Sequence, residues 1–306
     1  MSESISLTVP EQTTSCFVVA ADEATGDLPL SALRRLSEPF ATAAAERLGG
    51  PSLAITSYPA AHSPWSLDHA VSEVDGDDLD LEDRLFDARR HIGVTAEVPS
   101  TDRPYGLRLA RAVARCIAAH LDAVAVDIDT GQVLSERTSE HALFRLADDW
   151  LGARLPPHRN GGRCKVSDDD IDGCECVELT TSGLTRFGLP ELRMSRVSCA
   201  HDLAALNVLR TTAQHLLPMG NRPGGHTFPR LLPLTGNDFA AYWGAGDPMW
   251  SDAPVEVRLT QLSPQLLDVG PPEDFPGTLN EWLWDELPPV LYDLLSCGRN
   301  PASIET

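Results

Sequence analysis

Apolar and polar residues alternate between strand-like and helix-like patterns in the first half of the chain. Residues 16–20 and 51–56 form apolar runs of the length of a buried strand. Between the two runs, apolar residues recur at the spacing of one helix face, at Leu30, Leu33, Leu36, Phe40 and Ala44. The pattern predicts a strand, a helix and a second strand.

The same order then repeats. Residues 91–98 are rich in β-forming residues, and Asp102 with Pro104 marks the start of a helix. Apolar residues keep to one face over residues 107–121, and residues 123–128 form another apolar run. Two such units in succession are the order of a ferredoxin-like split βαβ sandwich. We therefore predict an α+β protein whose first domain, residues 1–155, has this fold.

A second mixed α+β unit is predicted over residues 156–306. Proline, glycine and polar residues at 156–162 end a helix predicted over 142–151 and mark the boundary. Strands are predicted near 176–181, 228–234 and 255–262, with a helix over 203–216. Thr278 and Glu281 have the spacing of a capping box, which opens a short helix that Pro288 stops.

The charge balance restricts the partners of this protein. The chain has 45 acidic and 24 basic residues, a formal net charge of −21. Such a protein repels phosphate backbones, so we expect no nucleic-acid partner. The first apolar run is too short for a signal peptide or a spanning helix, so we also expect no membrane contact. Seven cysteines, an odd number, favour a reducing compartment, and we expect a cytoplasmic location.

Two acidic segments are candidate docking surfaces for a basic partner protein. Residues 68–83 contain eight carboxylates, residues 259–298 contain seven, and neither contains lysine or arginine. A solvated loop is the simpler interpretation of the first segment. A cationic partner would relieve the repulsion within both segments. The predicted partner-binding residues are Asp77, Asp78, Asp80, Asp83, Trp282 and Trp284.

Metal binding has two candidate ligand sets, while we expect no other cofactor. Asp168, Asp170 and Asp172 match the start of a calcium loop, but Leu179 stands where an EF-hand has glutamate, so a solvated turn is the alternative. Zinc would suit the soft ligands around the same loop, which are Cys164, Cys174 and Cys176, with Cys199 and His201 further along. Because the cysteine spacing differs from that of a zinc knuckle, ordinary core or edge cysteines are the alternative there.

No complete catalytic motif is present. The chain lacks G-x-S-x-G, H-E-x-x-H and G-x-G-x-x-G, and its only lysine is Lys165. We assign no catalytic residue, and whether the protein is an enzyme stays open. Residues 180–192 predict a turn between two strands with Phe187 as a buried anchor. Alternatively, Arg186 and Glu191 of this turn grip a ligand, with His226 from a glycine-rich loop.

The stretch Thr181-Ser-Gly-Leu-Thr-Arg-Phe-Gly-Leu-Pro-Glu-Leu192 resembles a T-x-G-L-x-x-F-G-L-P-E-L signature of uncharacterised bacterial families of unknown function. The resemblance extends over residues 87–217. It implies a β-rich, ferredoxin-like region, and some of the similar proteins look like partner-binding or toxin-immunity proteins. Together with the charge, it favours a non-catalytic, immunity- or adaptor-like protein that docks a basic partner. The alternative is a metal-dependent or small-molecule-transforming enzyme centred on residues 168–176 and 183–191.

Overall fold

The structure is a computed structural model that describes residues 4–22, 33–68, 79–135, 140–154, 173–251 and 253–293. Its strands are β1 Ser4–Val9, β2 Gln12–Ala21, β3 Ala54–Pro59, β4 Arg90–Pro99, β5 Val124–Asp127, β6 Gln132–Val133, β7 Gly152–Arg154, β8 Val177–Ser182, β9 Glu191–Val197, β10 Gly224–Pro229, β11 Leu231–Leu234, β12 Val255–Ser263 and β13 Leu266–Gly270. Its α-helices are α1 Phe40–Arg47, α2 Leu79–Phe86, α3 Tyr105–Leu121, α4 Asp202–Leu216, α5 Gly236–Trp243 and α6 Leu279–Asp285. The described residues therefore form a mixed α+β protein with several sheets.

The chain divides into two units. One consists of Pro10–Phe144, and the other joins Met1–Val9 to Arg145–Thr306. The division lies earlier in the chain than the predicted boundary between residues 155 and 156. Residues 4–9 belong to the second unit because β1 pairs with β10, an arrangement that no local pattern in the sequence indicates.

The unit formed by Pro10–Phe144 contains a five-stranded sheet in the order β3-β4-β2-β5-β6, with all neighbours antiparallel. Phe17, Val18 and Val19 of the central strand β2 are fully buried. Helix α3 packs against β2 and β4 with a wide apolar face, and α1 packs against α3. The predictions of strands β2, β4 and β5 and of helix α3 are confirmed.

The other unit contains a six-stranded sheet in the order β11-β12-β13-β9-β8-β7. Its strands are antiparallel except for the pair β13 and β9. Helix α4 packs against β8 and β9, and α5 packs against α4. The predicted capping box is confirmed, since the Thr278 hydroxyl accepts the Glu281 amide hydrogen and the Glu281 carboxylate accepts the Thr278 amide hydrogen.

Three local predictions differ from the structure. Residues 142–151, predicted as a helix, form turns that bury Leu146 and Trp150. Residues 79–83, predicted as part of an acidic loop, belong to α2, in which Leu81 packs against core residues of β2 and β5. His226 lies in strand β10 and not in a loop, because β1 supplies the pairing strand.

Candidate functional site

Three cysteine side chains converge where β8 begins and β9 ends. Cys174 and Cys176 precede β8, and Cys199 opens the 3₁₀ turn Cys199–His201 that follows β9. Val177 and Val197 are partners in the antiparallel pair, so these two chain segments are neighbours. The three sulfurs lie within 4.8 Å of one another, and the Sγ atoms of Cys176 and Cys199 are 3.5 Å apart. We call Cys174, Cys176 and Cys199 the cysteine triad.

The surroundings of the triad favour a thiolate at Cys174. The Cys199 amide N–H donates to Cys174 Sγ over 3.2 Å, and the Ser198 hydroxyl oxygen lies 3.7 Å from the same sulfur. Burial raises the pKa of Cys174, but hydrogen bonds from Cys199, Cys176 and Ser198 outweigh it and lower the pKa to about 6. Since thiolates are the form that binds metals, the triad has the chemistry to hold a thiophilic ion. Cys176 is exposed, which gives such an ion a path of entry.

The structure brings together only part of the predicted metal ligands. Cys174 and Cys176 meet Cys199, as the zinc hypothesis requires. Cys164, Asp168, Asp170 and Asp172 lie outside the described residues, so the calcium hypothesis stays a prediction. His201 is not a member of the triad; its ring packs against two aromatic side chains instead.

An aromatic corner lies next to the triad, formed by His201, Trp284 and Tyr292. The ring centroid of His201 is 5.9 Å from that of Trp284 and 6.4 Å from that of Tyr292, and the last two rings are 6.3 Å apart. The Tyr292 hydroxyl donates to the Leu283 carbonyl oxygen. Burial and the negative charge of Asp285 raise the pKa of Tyr292 to about 12. The corner therefore has a carboxylate as a close neighbour.

The two tryptophans of α6 have opposite environments. Trp284 is 52% exposed and belongs to the aromatic corner, whereas Trp282 is 2% exposed and packs in the core. Two residues along a helix turn the side chain by about 200°, so the two indoles leave opposite faces. Of the predicted anchors, only Trp284 is available to a partner, and the assignment of Trp282 to a docking surface is corrected.

Two acidic residues of the segment 259–298 are partly neutralised by arginines from other parts of the chain. Asp268 accepts a hydrogen bond from Arg193 at 3.0 Å, and Glu273 lies 3.5 Å from Arg230 and 3.7 Å from Arg258. The segment 259–298 contains no lysine or arginine, so the arginines that pair with its acids come from outside it. Among the described acids of this segment, Asp285 and Glu286 are exposed beside Trp284.

The predicted acidic surface in the other unit is described only in part. Asp83 is exposed on α2. Asp77 and Asp78 lie outside the described residues, and only the backbone of Asp80 is described, also in α2. A docking role for these four residues stays a prediction.

The Glu191 carboxylate accepts three hydrogen bonds from nearby residues of its own chain. Its Oε1 accepts the amide hydrogens of Gly183 and Thr185 at 3.0 and 3.1 Å, and its Oε2 accepts the Thr181 hydroxyl at 2.8 Å. Burial raises the pKa of the Glu191 carboxyl, although these hydrogen bonds and the charge of Arg186 oppose the rise. The carboxylate thus stabilises the connection between β8 and β9. Gly183 of this connection has a φ of 107°, a backbone conformation that favours glycine.

The other predicted ligand-binding residues are also occupied within the fold. Arg186 is 1% exposed, and its guanidinium carbon lies 5.4 Å from the centre of the Trp150 ring. His226 Nε2 is 2.5 Å from the carbonyl oxygen of Arg222. Arg186, Glu191 and His226 therefore each make contacts within their own chain, and a ligand-binding role for them stays a prediction.

No protein-family model, curated protein or solved structure matches this chain. In the part of the chain that the structure describes, no helix has the length and apolar character needed to cross a membrane.

Proposed function

We propose that the protein is a non-catalytic, immunity- or adaptor-like binding protein that docks a basic partner protein at the aromatic corner. One observation carries the proposal: Trp284 is 52% exposed and is followed by two exposed acids, Asp285 and Glu286. Tryptophan and arginine dominate the binding energy of many interfaces, so an exposed indole among carboxylates suits an arginine of a partner.

The charge of the whole chain supports the same proposal. A net charge of −21 creates a field that accelerates the approach of a cationic protein and disfavours anionic ones. Trp284 would then give the complex a fixed point, because a stacked guanidinium loses little conformational freedom. Seven cysteines suit a reducing compartment, so we place this association in the cytoplasm.

The enzyme alternative has less support. Both oxygens of Glu191 are used by donors of the same chain, which leaves the 183–191 connection a structural role. Among the described residues, the cysteine triad gives that alternative a chemical basis, while the calcium loop at residues 168–172 stays a prediction.

For the unit Pro10–Phe144 we propose the ferredoxin-like split βαβ fold. The strand order β3-β4-β2-β5 with antiparallel neighbours supports it, as do helix α1 between β2 and β3 and helix α3 between β4 and β5.

Binding of a ten-residue arginine peptide, measured by calorimetry at low salt, tests the docking proposal. We expect Trp284→Ala to weaken binding about five-fold, the size of a cation–π contact of about 1 kcal/mol. Phe86→Ala is the matched control, because Phe86 is another exposed aromatic residue on an acidic helix but lies outside the corner. Equal weakening by both variants, or by neither, would contradict docking at the corner.

A pair of double variants separates the position of the charges from their number. Asp285→Asn with Glu286→Gln removes two charges at the corner, and Glu82→Gln with Asp83→Asn removes two charges from α2. We expect the first pair to weaken peptide binding more than the second. The reverse result would indicate that the partner docks on α2, where the sequence analysis predicts a docking surface within residues 68–83.

A further inference from the structure

The cysteine triad has no role in the docking proposal, although it is a convergence of three potential ligand atoms. Cys174, Cys176 and Cys199 come from two chain segments separated by the whole of β8 and β9. Their sulfurs nevertheless lie within 4.8 Å of one another, with the closest pair at 3.5 Å. We propose that these three cysteines bind one zinc ion through their sulfur atoms.

The spacing of the sulfurs fits zinc. Zinc–thiolate bonds are about 2.3 Å long, so two sulfurs of a tetrahedral site lie about 3.8 Å apart. The observed separations, from 3.5 Å up to a limit of 4.8 Å, include this value. The sulfur–sulfur separations therefore differ from the tetrahedral value by about 1 Å or less.

The backbone around the triad supplies the outer contacts that zinc thiolates use. The Cys199 amide donates to Cys174 Sγ, so one ligand is oriented by the segment that carries another. Hydrogen bonds of this kind fix the direction of a ligand and are part of most metal sites. The ligand types also select the metal, because thiolates prefer zinc to the hard cations calcium and magnesium.

A bound ion would join the start of β8 to the end of β9. Cys199 begins the turn that also carries His201, whose ring packs against that of Trp284. Zinc at the triad would therefore stiffen the turn on which the aromatic corner is built. The zinc proposal does not depend on docking, because metal binding is measured without any partner.

Elemental analysis of the reduced, full-length protein after zinc loading and gel filtration is the first test. We expect about one zinc per chain, and less than a tenth of that for Cys176→Ser. Because Cys176 is exposed, this variant should fold, and its far-ultraviolet circular dichroism without metal should match that of the wild type. Cys16→Ser is the matched control, since Cys16 is a half-buried cysteine of the other unit and should leave the zinc content unchanged.

Cobalt(II) distinguishes the triad from adventitious binding to the acidic surface. Cobalt in the triad should give thiolate-to-cobalt charge-transfer absorption, and this band should vanish in Cys176→Ser and in Cys174→Ser. Zinc should displace the cobalt, whereas a large excess of calcium should not. Absence of the band, equal zinc loss in the Cys16→Ser control, or displacement by calcium would overturn the proposal. None of these outcomes bears on whether the aromatic corner docks a basic partner.

Discussion

Replacing Glu191 with glutamine and with alanine should have very different consequences for stability. Both backbone donors, from Gly183 and Thr185, converge on Oε1, while Oε2 accepts only the Thr181 hydroxyl. A glutamine can place its oxygen at the Oε1 position and so keeps the acceptor for both backbone donors. Its amide then faces the Thr181 oxygen, which already accepts the Leu192 amide hydrogen, and the Thr181 hydroxyl hydrogen loses its acceptor. We therefore expect Glu191→Gln to lower the free energy of unfolding by about 1–2 kcal/mol, less than alanine does.

Alanine offers no such replacement. It leaves the Gly183 amide and the Thr181 hydroxyl without their acceptor, and both lie in a partly or fully buried environment. An unsatisfied buried donor costs about 1–3 kcal/mol, so the two together predict a loss of about 2–6 kcal/mol for Glu191→Ala. The Thr185 amide adds little, because Thr185 is exposed and water can replace the carboxylate.

Urea denaturation at several pH values measures both effects. Burial raises the pKa of Glu191 above its ordinary value of 4.5, so the stability contributed by the protonated form is present below pH 4.5 and lost as the pH rises through the folded-state pKa. The cost of Glu191→Gln should accordingly be smaller at pH 7 than at pH 4. If glutamine were as damaging as alanine at pH 7, the charge itself would be required, and the hydrogen-bond argument would be refuted.

Two further predictions concern packing and helix capping. Phe187 is 2% exposed and packs edge-on against Trp150, so Phe187→Ala should lower the free energy of unfolding by about 3–5 kcal/mol in the same assay, while Leu143→Ala, at a side chain 73% exposed, should change it little. Burial raises the pKa of Asp238, but hydrogen bonds from His215 and from the start of α5 bring it below its ordinary value of 3.8. Asp238→Asn should therefore cost about 1–2 kcal/mol near pH 6, and the cost should shrink as the pH falls below 3.8; a pH-independent cost would contradict this account.

Local patterns in the sequence were sufficient to predict elements whose sequence signals are themselves local. The apolar face of α3 and the capping box of α6 are such cases, because the helix period and the Thr278–Glu281 spacing are both local. The segment 142–151 has apolar residues at helical spacing but forms turns in which Leu146 and Trp150 are buried, and the division between the two units falls inside it, after Phe144. Long-range pairing, as between β1 and β10, leaves no local trace.

The candidate site shows the same limit. The cysteines could be named from their chemistry, but their convergence depends on the register of β8 and β9, which places Val177 opposite Val197. The difference between Trp282 and Trp284 depends on which face of α6 meets the sheet, and a seven-residue helix with several apolar residues does not reveal that face. Likewise, Arg193 and Arg230, which pair with Asp268 and Glu273, lie far from these acids in the sequence.

The pairing of β1 with β10 has a consequence for the order in which the chain acquires structure during translation. Ser6 and Thr227, which face each other in this ribbon, are separated by 221 residues. At about 5–20 residues per second, a ribosome needs about 10–40 s to make the intervening chain. All of Pro10–Phe144 is synthesised in that interval and can fold as a continuous segment, while β1 has to wait for its partner. A nascent chain arrested before residue 224 would therefore contain all residues of the Pro10–Phe144 unit, while β1 would still lack its pairing strand.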